Sequence, residues 1–253
     1  MNGYGLYTLF SKEVWRFLKV ATQTILAPVV TVLLYLLVFS SVLAEHVEAY
    51  PGINYVEFLV PGLIMMSIIQ NAFSNSSSSL FQAKMTGSVI FMLLAPLSSW
   101  EIYLAFISAA IVRGLVVGLG VWLAALFFIV LPMHSFLAVL VSAIISSAVM
   151  GTLGLIAALW AEKWDHIAAF LNFVILPLSF LSGVFYSVNE LPTFWKEASY
   201  YNPFFYMIDS FRYGFLGIAD NALSVSLTAV SVFLVIVSVF CLWLLQIGYK
   251  IRN

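Results

Sequence analysis

The sequence predicts an all-α membrane protein with six transmembrane helices, an amphipathic helix before the first and a pair of short helices before the last. Of its 253 residues, 63% are hydrophobic and 8% are charged, and the mean hydropathy is +1.08. A soluble domain carries about a quarter charged residues, because its surface must be hydrated. Most of the surface of this chain is therefore predicted to face lipid.

Long runs without Asp, Glu, Lys or Arg define the spans. A helix crosses the hydrocarbon in about 20 residues, so the charge-free run 114–161 is too long for one crossing. Pro132 divides this run, because proline removes a helical donor and favours a turn. The predicted spans are about 21–43, 58–80, 102–130, 136–160, 167–187 and 222–246.

The distribution of Lys and Arg orients these spans. With the N-terminus inside, seven basic residues fall in cytoplasmic parts and two in outer parts, as the positive-inside rule expects. The inner set is Lys12, Arg16, Lys19, Lys84, Lys163, Lys250 and Arg252, and the outer set is Lys196 and Arg212. Both termini are predicted to be cytoplasmic.

Residues 1–20 are predicted to form a cytoplasmic helix in the membrane interface. Apolar side chains recur on one side at helical spacing, and Lys12, Arg16 and Lys19 fall on another. Such a helix buries its apolar side and turns its basic side towards anionic head groups. Two interpretations stay open: an anchor for the first span, or a contact with a cytoplasmic partner through these cations.

The segment 188–220 is predicted to be an outer helical insert. Two Asn and Pro pairs within it are typical of helix starts, because Asn caps a helix and Pro fits its first turn. The pairs are Asn189 with Pro192 and Asn202 with Pro203, and the expected helices span about 192–200 and 203–216.

Aromatic residues are concentrated around this insert, with twelve from Phe185 to Phe215. Amphipathic rings prefer the membrane–water boundary, which favours a helical pair that re-enters the outer leaflet. Backbone at that depth must be surrounded by protein or line a cavity. The rings either hold the helices at depth, or form an outer gate or substrate-stacking surface that includes Phe185, Tyr186 and Tyr206.

Three charged residues are functional candidates. Arg113 is the one formal charge inside a predicted span, and such a charge normally faces protein or water. Counting back from Leu131 places it near the cytoplasmic boundary. Two roles stay open: a structural role, in which it binds backbone carbonyls or lipid phosphate, or a place in the substrate path or a dimer contact. Asp209 and Arg212 lie three residues apart and are expected to pair along a helix. The alternative is a latch from the outer helices to the rest of the chain.

Small residues at helical spacing let helices approach closely. Gly114 and Gly118 lie in the third predicted span, and Gly151 and Gly154 lie in the fourth. We expect these glycines to pack helices within one chain and not to form a dimer seam.

Several stretches, taken in order, are similar to the ABC-2 family of ABC exporter permeases, and small bacterial members in particular. They are Phe58–Ser67, Leu93–Ser98, Arg113–Leu115, Leu181–Ser187, and Asn202-Pro203 with Tyr206–Gly217. The resemblance covers nearly the whole chain. It implies a permease that works as a homodimer with two cytoplasmic ATPase subunits and exports a hydrophobic or amphipathic substrate, such as a lipid, a lipid-linked glycan or a drug-like compound.

The resemblance also implies that residues 81–100 form a cytoplasmic loop that couples the permease to its ATPase. The candidate contacts in it are Lys84, Met85, Gly87, Ser88, Phe91 and Pro96. Members of the family usually carry charged residues between the Gly and the Pro, but Thr86–Met92 has none here. The contact is therefore expected to be mostly apolar.

Motifs for chemistry within the chain are missing from the sequence. It has no phosphate-binding Gly-x-x-x-x-Gly-Lys-[Ser/Thr] loop, so ATP and Mg²⁺ are expected on the partner. The histidines His46, His134 and His166 fall in separate predicted loops, which disfavours a metal site. A net charge of −1 argues against nucleic acid. An ATPase-independent channel or secondary transporter is the alternative, although it would bury several ionisable residues at mid-membrane.

Overall fold

The computed structural model describes residues 3–43, 48–50 and 52–250, and within these ranges the chain is largely helical. In chain order the α-helices are α1 (Gly3–Leu18), α2 (Ala21–Leu43), α3 (Tyr55–Met85), α4 (Val89–Leu94), α5 (Ser99–Ala125), α6 (Phe136–Trp160), α7 (Trp164–Phe170), α8 (Leu176–Phe180), α9 (Thr193–Tyr200), α10 (Pro203–Leu216) and α11 (Leu223–Ile247). Strands β1 (Glu48–Tyr50) and β2 (Ile53–Asn54) pair antiparallel between α2 and α3. His46 and Arg252, placed by the sequence predictions, lie outside the described residues.

Five helices in the described part of the chain are long and apolar enough to cross a membrane: α2, α3, α5, α6 and α11. The predicted all-helical membrane class is therefore confirmed, and five predicted spans have the length they need. The predicted span 167–187 corresponds to a shorter helical run, Trp164–Phe180. This run rises about 25 Å, which is less than the roughly 30 Å of a hydrocarbon core.

The shorter run is interrupted just before Pro177. Proline has no N–H, so the Phe173 carbonyl loses its usual helical partner. The backbone widens into a π-helical turn at Leu171–Ile175, where the N–H of Leu176 bonds to the Leu171 carbonyl. The helix ends at Phe180, and the chain continues through turns.

Helix α3 forms the centre of the bundle, and most of its residues are buried. It begins at Asn54, whose side chain accepts a hydrogen bond from the Val56 N–H. Helices α2, α5, α6 and α10 pack around it. Helices α2 and α11 expose many large apolar side chains, as expected for helices that face lipid or another membrane protein.

Glycines bring these helices close together. A Cβ atom at Gly154 of α6 would lie 2.5 Å from the Phe73 carbonyl oxygen of α3, and one at Gly151 would lie 2.8 Å from Ala110 of α5. In α5, Gly114 faces Ser147 of α6 and Ile68 of α3, and Gly118 also faces Ile68. The prediction that this small-residue pattern packs helices of one chain is confirmed.

Helix α5 ends at Ala125, earlier than the predicted end at 130. After Ala125 the chain forms turns and an irregular segment, and the end of this segment is hydrogen-bonded to α10. The His134 N–H donates to the Phe215 carbonyl at 3.1 Å, and the Ser135 N–H donates to the Gly214 carbonyl at 2.8 Å. Ser135 also caps α6, which begins and ends where the sequence predicts.

The two helices of the outer insert, α9 and α10, lie within a residue of their predicted bounds. Asn202 caps α10 by accepting from the Phe204 N–H, and Pro203 occupies the first turn, so that start is confirmed. Asn189 does not cap α9. It lies in a 3-10 turn, Val188–Glu190, that is capped by the Ser187 hydroxyl, so the predicted role of Asn189 is wrong.

The C-terminal ends of α3, α6 and α11 meet at one end of the bundle. The Lys84 ammonium at the end of α3 donates to the carbonyls of Ala158, Leu159 and Ala161, at 2.8–2.9 Å. Lys250, just after α11, bonds to Glu162 in the loop after α6. This hydrogen bond lowers the pKa of the Glu162 carboxyl below its ordinary value.

At the opposite end, Asp220 joins three segments. Its carboxylate accepts from the Tyr50 hydroxyl of the β-hairpin at 3.0 Å, from the Ser187 hydroxyl at 2.6 Å and from the Val188 N–H at 3.0 Å. Burial raises the pKa of the Tyr50 hydroxyl above its ordinary value. The hairpin before α3, the turn after α8 and the start of α11 are thereby held together.

Candidate functional site

A polar cavity of about 680 Å³ lies between α2 on one side and α3 and α5 on the other. It extends from Arg16 and Val20, near the junction of α1 and α2, to Tyr35 and Leu63 farther along the bundle. The polar residues that line it are Arg16, Gln23, Thr24, Thr31, Tyr35, Ser67, Gln70, Asn71, Ser78 and Arg113. Among the described residues that line it, none is Asp or Glu.

Arg113 reaches this cavity from the middle of α5. Its Nη2 donates to the Asn71 side-chain oxygen on α3 at 3.1 Å, and its Nε is buried without a hydrogen-bond partner. Because α5 spans Ser99–Ala125, Arg113 is about 21 Å from the start of the helix and about 18 Å from its end.

Arg16 also lines the cavity, but its charge is compensated. Its Nε donates to Glu13 at 3.1 Å, and its Nη2 donates to the backbone and side-chain oxygens of Asn75 at 2.8 and 3.0 Å. The predicted orientation of Arg16, towards head groups or a partner, is therefore wrong. Lys12 on α1 and Lys19 just after it are exposed.

Glu13 is the residue of α1 that the sequence interpretation missed. Its side chain is fully buried and bonds to Lys12 at 3.3 Å as well as to Arg16. A signal for it exists in the sequence: Glu13 lies four residues from both Leu9 and Phe17, which form the buried face of α1. A carboxylate on that face needs a cation beside it.

The predicted coupling loop contains helix α4, whose apolar side chains face outward. Phe91 and Leu94 are each 77% exposed, and Ile90 is also largely exposed. Around the helix, Met85, Gly87, Ser88 and Pro96 are exposed as well. Gly87 has a positive φ of 72°, which suits the turn between α3 and α4.

Lys84 differs from the other residues predicted in this loop. Its ammonium donates to carbonyls at the end of α6, so it is turned into the bundle. Carbonyls at a helix C-terminus lack intrahelical partners, and a cation there is favourable. Lys84 therefore ties the segment that carries α4 to the end of α6.

Asp209 and Arg212 do not pair, although both lie in the described part of the chain. Asp209 accepts from the N–H groups of Asp220 and Asn221 at 2.8 and 3.2 Å, and from the Ser226 hydroxyl at 2.8 Å. The prediction of a local ion pair is wrong. Burial raises the pKa of the Asp209 carboxyl more than these hydrogen bonds and Arg212 lower it.

Arg212 is 1% exposed and bonds to different segments. Its Nη2 donates to the Gly183 carbonyl at 2.7 Å, and its guanidinium carbon lies 3.8 Å from the centre of the Phe58 ring. Gly62 leaves room for it, since a Cβ atom there would lie 3.2 Å from Nη2. Arg212 thus holds α10 to the turn after α8 and to the start of α3.

The three aromatic gate candidates make contacts in different places. The Phe185 ring stacks on Phe180 and lies 5.7 Å from the ring of Tyr35, which lines the polar cavity. The Tyr186 hydroxyl donates to the Phe180 carbonyl. The Tyr206 hydroxyl donates to the Tyr200 carbonyl within the insert. Of the three, Phe185 is the one joined to the cavity by a direct ring contact.

The family of the chain follows from comparison with known proteins. A family model described as ABC-2 type transporter matches residues 4–216. The chain belongs to the ABC-2 type transporter family. This membership confirms the resemblance found in the sequence, and the matched range includes the cavity, α4, α9 and α10.

Named relatives of this ABC-2 permease include inner membrane transport permease YadH of Escherichia coli (strain K12). It is 37% identical over 249 residues, which cover 98% of this chain and 97% of the relative. Nodulation protein J of Rhizobium leguminosarum bv. viciae is 25% identical, over 80% of this chain and 78% of its own length. Nodulation protein J of Rhizobium meliloti (strain 1021) is 24% identical, over 85% and 83%.

As an ABC-2 permease, the chain is an inner-membrane transport subunit without an ATPase site of its own. Permeases of this family work with ABC ATPase subunits. The prediction that the chain is a transporter subunit and not an enzyme is confirmed. Among the residues that the structure describes, no three His, Cys, Asp or Glu side chains lie close enough to hold a metal ion.

Proposed function

We propose that this chain is the membrane subunit of an ATP-driven exporter, in which two copies work with two copies of a cytoplasmic ABC ATPase. The exported molecule is hydrophobic or amphipathic: a lipid, a lipid-linked glycan or a drug-like compound. ATP and Mg²⁺ bind to the ATPase, and the permease provides the path.

The observation that carries this proposal is the exposed apolar surface of α4. Exposed groups of large apolar side chains mark interaction sites, and Phe91 and Leu94 are among the most exposed apolar side chains described. An ATPase seated on α4 would act on the whole bundle, because Lys84 joins the preceding segment to α6. The absence of charge from this segment suits an apolar contact.

Contacts at the two ends of the bundle support a sixth crossing. Glu162 lies at the end where α3, α6 and α11 finish, and Ser187 lies at the end where α3 and α11 begin. Residues 164–187 must then connect opposite ends. With six crossings both termini are cytoplasmic, which agrees with the bias of Lys and Arg between the predicted loops.

Exposed side chains of α2 and of the outer insert support the remaining details. Helix α2 exposes an apolar face that includes Leu26, Leu34 and Leu37, and a second copy of the chain would cover such a face. In the insert, α10 is mostly buried, whereas Phe194 and Tyr201 are exposed. This distribution fits a helical pair re-entering the outer leaflet, with aromatic rings at the membrane boundary.

The test is co-purification with an ATPase. A soluble ABC ATPase should purify with the wild-type chain in roughly equal amount, and its ATP turnover should rise in the complex. Phe91→Asp should reduce the recovered ATPase at least tenfold, because it places a charge in an apolar contact. Phe127→Asp is the matched control, since Phe127 is 91% exposed but lies after α5, away from α4.

Full ATPase recovery by Phe91→Asp would exclude α4 as the contact. Transport by the reconstituted chain alone, without nucleotide hydrolysis, would instead support an ATPase-independent channel or secondary transporter and reject the proposed function.

A further inference from the structure

We propose that Arg113, together with Asn71, binds a single anionic group of the transported amphiphile, such as a phosphate or carboxylate head group, inside the polar cavity. This inference rests on the proposed function, because it assigns a substrate class to the same path. The proposed function leaves open where the substrate binds and what charge it carries, and this inference specifies both.

The first argument compares the three arginines that contact the helices of the bundle. Arg16 bonds to Glu13 and Asn75, and Arg212 bonds to a main-chain carbonyl and lies over an aromatic ring. Arg113 has one bond to a neutral amide, and in the described part of the chain no carboxylate lies within ion-pair distance of it. Arg212 also lacks such a carboxylate but is enclosed by protein, whereas the charge of Arg113 faces the cavity.

The second argument is where this charge lies. A cation in the middle of a membrane helix is costly unless it faces water or a partner of opposite charge. Arg113 faces a cavity lined by hydroxyl and amide side chains. A guanidinium offers a planar fork of donors that fits a carboxylate or phosphate.

The third argument is the size and direction of the cavity. Its volume of about 680 Å³ lies within the range of roughly 300–1,000 Å³ found for ligand sites. It follows α2 from Val20 to Tyr35, a rise of about 22 Å. A head group entering near Arg16, at the predicted cytoplasmic side, would meet Arg113 along the way.

A single uncompensated cation also limits the charge of the ligand. One phosphate diester or one carboxylate would be neutralised by Arg113, and neighbouring donors such as Asn71 and Gln70 would complete its hydrogen bonds. A multiply charged group would remain uncompensated among apolar spans. The site therefore favours an amphiphile with one negative charge.

Binding of fluorescent short-chain lipids tests this site. The purified full-length chain, in neutral detergent, is titrated with a fluorescent phosphatidylglycerol, whose phosphodiester carries one negative charge, and with the phosphatidylcholine of the same chain length. We expect the wild type to bind the anionic lipid at least tenfold more tightly. Arg113→Gln should abolish this preference, and Arg113→Lys should retain part of it. Lys163→Gln, which removes an exposed charge that does not line the cavity, should behave as the wild type.

Equal binding of the two lipids by the wild type overturns the inference, and this result needs no variant to fold. Displacement of the anionic probe by millimolar inorganic phosphate also overturns it, since the site would then take a soluble anion. Loss of the preference in Lys163→Gln as well would show that general surface charge attracts the lipid.

A second measurement separates a transported molecule from a resident lipid. The permease–ATPase complex is placed in phosphatidylcholine nanodiscs, and phosphatidylglycerol is added. Stimulation of ATP turnover in the wild type and Lys163→Gln, but not in Arg113→Gln, supports the inference, whereas binding without stimulation overturns the assignment to the substrate. Failure of any ATPase to join the wild-type chain would instead reject the proposed function, because the lipid titration requires no ATPase.

Discussion

Two buried charges of α10, Asp209 and Arg212, bond to groups of other segments of the permease. Asp209 is 1% exposed and accepts from two amide N–H groups and one hydroxyl at the start of α11. Arg212 donates to a carbonyl in the turn after α8. Each side chain therefore ties α10 to a different segment and stabilises the fold by holding the two together.

Replacing Asp209 by Ala should destabilise the outer junction. Two N–H groups and the Ser226 hydroxyl would lose their acceptor, and each unsatisfied buried group costs about 1–3 kcal/mol. We expect a clear fall in the thermal unfolding temperature of the purified protein, and a smaller fall for Asp209→Asn, which keeps one acceptor oxygen. Asp165→Ala is the control because Asp165 is exposed. Equal melting of the Asp209→Ala and Asp165→Ala variants would contradict this account.

Exchanging the two charges should not restore stability. In the double variant Asp209→Arg with Arg212→Asp, each new side chain would face groups of the wrong kind, since an arginine cannot accept from N–H groups and a carboxylate cannot donate to a carbonyl. The double variant should melt no higher than either single variant. Recovery of the wild-type melting temperature would show that the two residues pair after all.

The sequence could not reveal this arrangement at the residue scale. A spacing of three on a helix permits a local ion pair, but the Gly183 carbonyl that Arg212 uses is 29 residues away. Arg113 was identified correctly as a buried charge, because it interrupts an apolar run. Its partner Asn71 was not, because an uncharged amide does not stand out within a span.

Helix α6 lies so close to α3 that only glycine fits at their contact. Gly154→Ala should destabilise the bundle, since its Cβ atom would lie 2.5 Å from the rigid Phe73 carbonyl oxygen. Gly120→Ala is the matched control in a span, because its Cβ atom would meet one methyl group of Ile25, which can move. A lower melting temperature for Gly154→Ala alone is expected. The same loss in both variants would contradict a special role of the Phe73 contact, since the higher helix propensity of alanine favours both variants equally.

Elements with strong local signals were predicted to within a residue. Helix α6 starts at a Ser cap and α10 at Asn202-Pro203, and both signals are local. The end of α5 was predicted too late, because the segment that follows bonds to α10, and such a long-range contact leaves no local pattern. The π-helical turn before Pro177 was likewise invisible to a count of apolar residues.

At the scale of the whole molecule, two sets of polar contacts define the ends of the bundle. Lys84 and Lys250 gather the finishing ends of α3, α6 and α11, and Asp220 gathers the segments that begin α3 and α11. Lys84 and Lys250 are among the basic residues that the positive-inside rule places in the cytoplasm. The end of the bundle that they join is therefore the cytoplasmic end in the predicted orientation. The number of spans then depends on residues 164–187: the chain has six spans if this segment crosses the membrane and five if it does not.

Cysteine labelling decides this crossing. Cys241 is the single cysteine of the chain and is buried, so the wild type should react little with a membrane-impermeant maleimide. Lys163→Cys and Glu190→Cys place exposed thiols on either side of residues 164–187. In intact spheroplasts, the variant at 190 should be labelled at once and the variant at 163 only after lysis. Labelling of both from the same side would mean that the segment does not cross, which would leave five spans and place the C-terminus outside.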